Sequence, residues 1–311
     1  MRVLITGGAG FIGRWIVNEM LPDYSVNVID NMSNGSLSNL NEFKGEKNFK
    51  GLIKGDIKDM YNVGTAFQTR PEIVIHAAAQ VNVQESLDNP VSSYENNILG
   101  TFNILEACRK RNTRLILIGT CMVYDISDTP ITEMHPVKPL SPYAASKLSA
   151  EYLAESYYHG YGLPVSILRP FNTYGPYQKS NLEGGVVSIF VKRAIEGKKL
   201  QIFGSGKQTR DLLWVGDTAR FVAMAARNEE SIGQVINAGT GKDITINKLA
   251  KLVSKGQVPI EHVEHHHPQS EIMKLQCDPS KAKKILNWEP KVSIEKGVNK
   301  LEDYFNGELN G

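Results

Sequence analysis

The sequence is short of most features that would place it outside the ordinary soluble enzymes. It holds three cysteines, Cys108, Cys121 and Cys277, too few and too scattered for a disulfide framework or a metal cage, so a reducing compartment is expected. It has no excess of one charge: 35 Lys and Arg against 33 Asp and Glu leave a net +2, which gives no field to gather nucleic acid or a membrane surface. No stretch approaches the roughly 20 apolar residues of a membrane-spanning helix. Met1 leads straight to Val3-Leu4-Ile5 and then to glycines, with no basic region, long apolar core or cleavage site. Together these absences predict a cytoplasmic protein with neither nucleic acid nor membrane as partner. No repeat or low-complexity tract interrupts the 311 residues, enough for one large α/β domain or two lobes sharing a crevice.

The first half carries a rhythm. Short β-branched apolar runs at 2–6, 25–30, 49–54, 73–76, 114–119 and 164–169 alternate with stretches near 11–20, 58–68, 92–110 and 142–159, whose apolar residues recur every three or four positions. This predicts the α/β class, with a Rossmann-type doubly wound parallel sheet. After Arg169-Pro170 the rhythm breaks into a Gly/Pro/Asn-rich loop at 172–185, a helix near 186–196 and short pieces. Residues 1–170 are therefore expected to form a dinucleotide-binding domain that also carries the catalytic residues. Residues 171–311 are expected to form a smaller α/β substrate lobe, with some of its chain free to return to the first domain.

Directly after the first strand comes Thr6-Gly7-Gly8-Ala9-Gly10-Phe11-Ile12-Gly13. Gly7, Gly10 and Gly13 suit a tight turn, a close approach of backbone to a pyrophosphate, and close packing of helix on strand. The helix that follows offers free N–H groups and the positive end of its dipole. Asp30 closes the second strand, where a carboxylate accepts hydrogen bonds from the adenosine ribose and repels a 2′-phosphate, so NAD is expected rather than NADP. Asp56 and Ile57 follow the third strand within reach of an adenine ring, although a plain turn aspartate fits equally. Ala77, Ala78 and Ala79 put small side chains where backbone must pass close to the cofactor; His76 before them reads as a packed histidine.

Of twelve tyrosines only Tyr143 is followed four residues later by lysine, Lys147, and on a helix that spacing puts both on one face. A phenol is a poor base near neutral pH, but a neighbouring ammonium and a cationic nicotinamide ring favour its phenolate. Thr120 sits at the carboxyl end of the fifth strand, where its hydroxyl can orient a substrate oxygen beside Tyr143.

With these motifs in order, the chain resembles the extended short-chain dehydrogenase/reductase family, in its NDP-sugar epimerase and dehydratase branch, over essentially its whole length. The matching segments are T-G-G-A-G-F-I-G, D-N-M-S-N-G-S at 30–36, H-A-A-A-Q at 76–80, N-N-I-L-G-T at 96–101, S-P-Y-A-A-S-K at 141–147, R-P-F-N-T-Y-G-P at 169–176 and R-D-L-L-W-V-G-D at 210–217. The resemblance implies Thr120, Tyr143 and Lys147 as the catalytic set. It adds Phe11, Ile12, Asn31, Ser33, Gly35 and Asn97 to the cofactor site, with Lys147 on the nicotinamide ribose. Asn172 and Arg210 are implied at the substrate diphosphate, and Glu271 and His267 at the nucleoside. A homodimer formed through the helices near 92–110 and 142–159 is implied as well. A metal at His262 and His265-His266-His267 is not expected, because consecutive side chains diverge and no carboxylate or thiol completes a site.

The shared chemistry is oxidation at sugar C4 by NAD. A 4,6-dehydratase of this family uses an Asp-Glu pair directly after the threonine, and here those positions are Cys121 and Met122. A thioether carries no proton and a thiol is a marginal acid, so the expected function is an NAD-dependent 4-epimerase, with UDP as the nucleotide most frequent in the family. The alternatives are a 4,6- or 5,6-dehydratase that uses Cys121 as the acid, and a non-enzymatic dinucleotide-sensing protein, against which the intact Thr120, Tyr143 and Lys147 count.

Overall fold

A strand buried on both faces must lie inside a covered sheet, and Val3, Leu4, Ile5 and Thr6 are all inaccessible. The computed structural model describes residues 1–179, 185–264 and 271–310. In it β1 (Arg2–Thr6) is followed by α1 (Phe11–Met20), β2 (Ser25–Asp30), β3 (Phe49–Lys54), α2 (Met60–Phe67) and β4 (Ile73–His76). Then come α3 (Val83–Asp88), α4 (Pro90–Tyr94), α5 (Gly100–Arg111), β5 (Arg114–Ile118), α6 (Pro142–Tyr161) and β6 (Val165–Pro170). All six expected strands are present with ends within one residue of those read from the sequence. The helix expected over 92–110 is α4 and α5 joined by a π-helical turn at Glu95–Leu99.

These strands belong to one seven-stranded parallel sheet in the order β10-β6-β5-β4-β1-β2-β3. Its alternate residues part to opposite faces. Val3, Ile5, Ile73, Ile75 and Ile116 pack with Ile16 and Val17 of α1, while Leu4, Val74, Leu115 and Leu117 pack with Val63 and Phe67 of α2 and Ile104 and Leu105 of α5. Because β1 has β2 on one side and β4 on the other, the order of strands reverses there, and a crevice opens at their carboxyl ends.

Beyond Pro170 the elements are β7 (Asn172–Tyr174), α7 (Val186–Ile195), β8 (Leu200–Phe203), β9 (Thr209–Trp214), α8 (Val215–Arg227), β10 (Val235–Ala238) and β11 (Asp243–Thr245). They continue with α9 (Ile246–Ser254), β12 (Ile260–Val263), β13 (Lys274–Leu275), α10 (Ser280–Leu286) and α11 (Ile294–Asn310). β9 pairs with β7, β11 and β13, β8 pairs with β12, and α7, α9 and α11 bury Phe190, Leu249 and Leu301 against Leu212 and Trp214. Part of this chain returns to the first sheet: α8 packs on α1, and β10 pairs with β6 as the edge strand.

Candidate active site

The crevice is a cavity of about 410 Å³. Its floor is the glycine loop. Gly7 has φ +70°, and a Cβ there would stand 2.7 Å from the backbone of Ala78; a Cβ on Gly13 would stand 2.0 Å from the Gly7 carbonyl oxygen. Gly10 caps α1 without a side-chain bond, and no acidic residue stands in the first turn, so the helix's N-terminal N–H groups are left to an anion. Gly7, Gly10, Phe11, Ile12, Gly13, Ser33, Gly35, Ile57, Ala77, Ala78 and Ala79 all line the cavity.

Asp30 also lines it, with its carboxylate accepting from the N–H of Ala9 at 3.0 Å and of Met32 at 2.8 Å. Burial raises its pKa, against those two bonds. Asn31 lines the cavity too; it ties Asp56 through Nδ2 at 3.1 Å and accepts from the Ser33 hydroxyl at 2.7 Å. The donor set therefore fits a dinucleotide: free N–H groups and bare backbone for the diphosphate, and a carboxylate at the ribose position.

Two expected cofactor residues are not brought to the cavity. The Asp56 carboxylate caps the following turn by accepting from the Lys58 N–H at 2.8 Å. The amide of Asn97 is fully used behind the wall: it donates to Ser146 at 2.8 Å and to the Gln80 carbonyl at 3.1 Å, and accepts from the Gln80 N–H at 2.8 Å. The π-helical turn carries Asn97 inward and leaves its neighbour Asn96 facing the cavity.

The chain from β5 into α6 builds the reactive end. Ser141 caps α6 through the Ala144 N–H at 3.2 Å and Pro142 opens its first turn, so Tyr143 emerges at the helix start and Lys147 one turn later. Tyr143 and Thr120 both line the cavity with Lys147, and the Thr120 hydroxyl is near enough to act on the state of the phenol. Lys147 Nζ donates to the Ile118 carbonyl oxygen at 2.6 Å. Burial drives Lys147 down to about 8 and Tyr143 up to about 12, the latter opposed by the Thr120 hydroxyl. The expected lowering of the phenol by the ammonium is not found: Lys147 is not among the groups that act on it, and burial raises it. Cys121 borders the cavity at 2% exposure, packed with Leu148, Phe171 and Cys277, and burial pushes its thiol up to about 12. That is far from the range of an effective general acid near neutral pH.

The second lobe contributes Asn172, Arg210 and Glu271 to the lining. Asn172 Oδ1 is buried with no hydrogen-bond partner among the described residues. Arg210 is ion-paired with Glu271 and donates to the Ile272 carbonyl oxygen at 2.6 Å. Next to it Asp211 anchors the lobe, accepting from the N–H groups of Thr240, Gly241 and Cys277. His262 donates from Nδ1 to the Gly204 carbonyl oxygen at 2.9 Å, while His267 and its neighbours in the histidine run lie outside the described residues.

His76 is packed, as read from the sequence, and its bonds run in one direction. The Thr101 hydroxyl donates to the Asn97 carbonyl at 2.6 Å, so Thr101 accepts from His76 Nε2 at 3.0 Å; Nδ1 then accepts from the Thr6 hydroxyl at 2.6 Å. Burial lowers this imidazole to about 3, with the Lys147 charge adding to the effect. Sequence reasoning missed this wire, and it missed the buried pair of Glu151 and Arg169. The only signal for the pair was a glutamate four residues after Lys147.

The profile of the family described as GDP-mannose 4,6 dehydratase matches residues 4–301. The chain belongs to that family. It is 33% identical to the UDP-glucose 4-epimerase of Mycolicibacterium smegmatis, covering 98% of each chain. Among solved structures it is similar to Pal from Bacillus thuringiensis, with 50% identity, TM-score 0.97, and coverage of 99% of this chain and 100% of that one. It is also similar to the UDP-glucose 4-epimerase of Thermus thermophilus in complex with NAD, with 34% identity, TM-score 0.90 and 99% of each chain covered.

Proposed function

We propose that this protein is an NAD-dependent nucleotide-sugar 4-epimerase acting on a UDP-hexose through a transient 4-keto sugar. The observation that carries the reading is the meeting of Thr120, Tyr143 and Lys147 at one cavity where the two residues after the threonine are Cys121 and Met122. Bound NAD supplies the oxidising and then the reducing equivalent at C4. Tyr143 takes the proton of the C4 hydroxyl and returns it to the same oxygen, and Thr120 holds that oxygen in place. Lys147 keeps positive charge beneath the site. Asp30 and the Gly7–Gly13 loop hold the cofactor in the first lobe; Asn172 and Arg210 of the second lobe receive the substrate diphosphate, the arginine by charge-assisted bonds.

Dehydration makes further demands, since a proton must leave C5 and another must reach the C6 oxygen. Met122 carries no proton, and a thiol standing at about 12 is a poor donor. The test is incubation with UDP-, dTDP-, GDP- and CDP-hexoses in D₂O, read by NMR. A C4 epimer of a UDP-hexose without deuterium at C5 is expected. Deuterium at C5, or a 4-keto-6-deoxy sugar, would move the assignment to dehydratase.

The same reading includes a cytoplasmic homodimer. Val91, Tyr94, Leu99 and Phe102 along α4 and α5 are exposed, as is Tyr152 on the neighbouring α6, giving an apolar face of the kind that pairs helices between copies. Sedimentation of a monomer at micromolar concentration would remove the dimer. All three cysteines are free thiols, which suits a reducing compartment. No helix among the described residues is long and apolar enough to cross a membrane.

A further inference from the structure

Three buried side chains follow one another at four-residue spacing along α6: Tyr143, Lys147 and Glu151. The first two form the proposed catalytic pair, and the third has no part in it so far. Glu151 is 1% exposed, and its Oε2 accepts from Nε of Arg169 at 3.0 Å and from a terminal nitrogen of the same guanidinium at 2.6 Å. Its Oε1 has no hydrogen-bond partner among the described residues. That oxygen lies against Gly119, where a Cβ would stand 2.2 Å from it. Gly119 is the single residue between Ile118, whose carbonyl holds the Lys147 ammonium, and Thr120, which lines the cavity with Tyr143.

Stability does not account for this arrangement. A buried ion pair is often replaceable by apolar residues without loss, and a buried carboxylate oxygen with no donor works against folding. Arg169 is itself held: its guanidinium lies 4.7 Å over the ring of Tyr124, whose hydroxyl donates to Asn237 at 2.7 Å. The carboxylate is fixed from behind and presses on the turn that anchors both catalytic side chains.

We propose that Glu151 is a positioning residue for the reaction: clamped by Arg169, it braces the Gly119 turn and keeps the Lys147 ammonium charged beneath the active site. The electrostatics run the same way, because burial lowers Lys147 and Glu151 is the charge that opposes it. The other titratable groups around Glu151 and Lys147 are Tyr143 and the half-buried Glu155 of the same helix, His76 at the end of β4, Cys121 after β5 and Arg169 of β6. The acids of the packed helices α3 and α4 and of the π turn, Glu85, Asp88 and Glu95, are exposed, and Glu106 of α5 is engaged by Arg109 and Tyr157.

The proposal rests on Tyr143 and Lys147 being the catalytic pair, so its test includes a readout that needs no sugar. Holoenzyme carrying [ε-¹³C]lysine is titrated by NMR, with the Lys147 resonance assigned by its loss in Lys147→Arg. In Glu151→Gln its midpoint should fall by roughly one pH unit or more. With a sugar that the wild type turns over, kcat should fall about 10–100-fold with KM changed less than about threefold, and the alkaline limb of the kcat profile should move to lower pH. Gly119→Ala, which displaces the carboxylate without removing its charge, should change kcat and midpoint in the same directions and serves if Glu151→Gln does not fold. An unchanged Lys147 midpoint in the folded variant overturns the proposal, as does kcat within about twofold of wild type. A shifted midpoint in a protein that turns over no sugar supports the coupling of Glu151 to Lys147 and removes the epimerase reading instead.

Discussion

Lys147 gives its ammonium to the carbonyl oxygen of Ile118, 2.6 Å away, and is not among the groups that set the state of the Tyr143 phenol. With burial pushing that phenol up to about 12, the residue is a weak base until a cationic ring is bound beside it. Proton transfer at C4 is therefore tied to the presence of the oxidised cofactor.

Tyr143→Phe removes the proton carrier while leaving the ring in its packed place. Turnover is expected to fall roughly 10²–10⁴-fold, with NAD retained and the thermal midpoint little changed. Wild-type rates in this variant would mean that the base lies elsewhere.

Cofactor choice is expected to follow Asp30. Its carboxylate is held by the N–H groups of Ala9 and Met32, so it cannot swing away from a 2′-phosphate brought to the ribose position. Calorimetric titration should find NAD bound at least about tenfold more tightly than NADP, and Asp30→Asn should narrow the gap. Equal affinities for the wild type would sink this reading.

Acid should destabilise the protein through His76. Its folded pKa is lowered from 6.5 to about 3, so between those values the unfolded chain binds the extra proton. The stability is fully present above pH 6.5 and is lost as pH falls towards 3, at about 1.4 kcal/mol per pH unit. Thermal midpoints measured across this window should drop less steeply in His76→Asn than in the wild type. Parallel curves would show that the imidazole is not the group being protonated.

The sequence made the sheet legible because strands buried on both faces read as unbroken apolar runs, as Val3-Leu4-Ile5 does. The glycine loop was legible because Gly7 and Gly13 meet steric demands that a larger residue does not satisfy, Gly13 against Gly7 above all. Local periodicity could not reach contacts between distant segments. Glu151 meets Arg169 only because β6 lies beside α6, and Asn97 turns inward only because the helix takes an extra residue in its π turn. A return of some later chain to the first domain was expected, but not which segment makes it: the elements around Val235–Ala238 follow no regular strand-helix rhythm that would single it out.

That return has a consequence for how the protein is made. Residues 2 to 170 leave the ribosome with six of the seven strands, and β6 then waits with one flank unpaired until β10 emerges. At typical synthesis speeds the wait is on the order of ten seconds. During it the nascent chain exposes a sheet edge that the finished enzyme covers, open to the edges of neighbouring nascent chains on the same messenger.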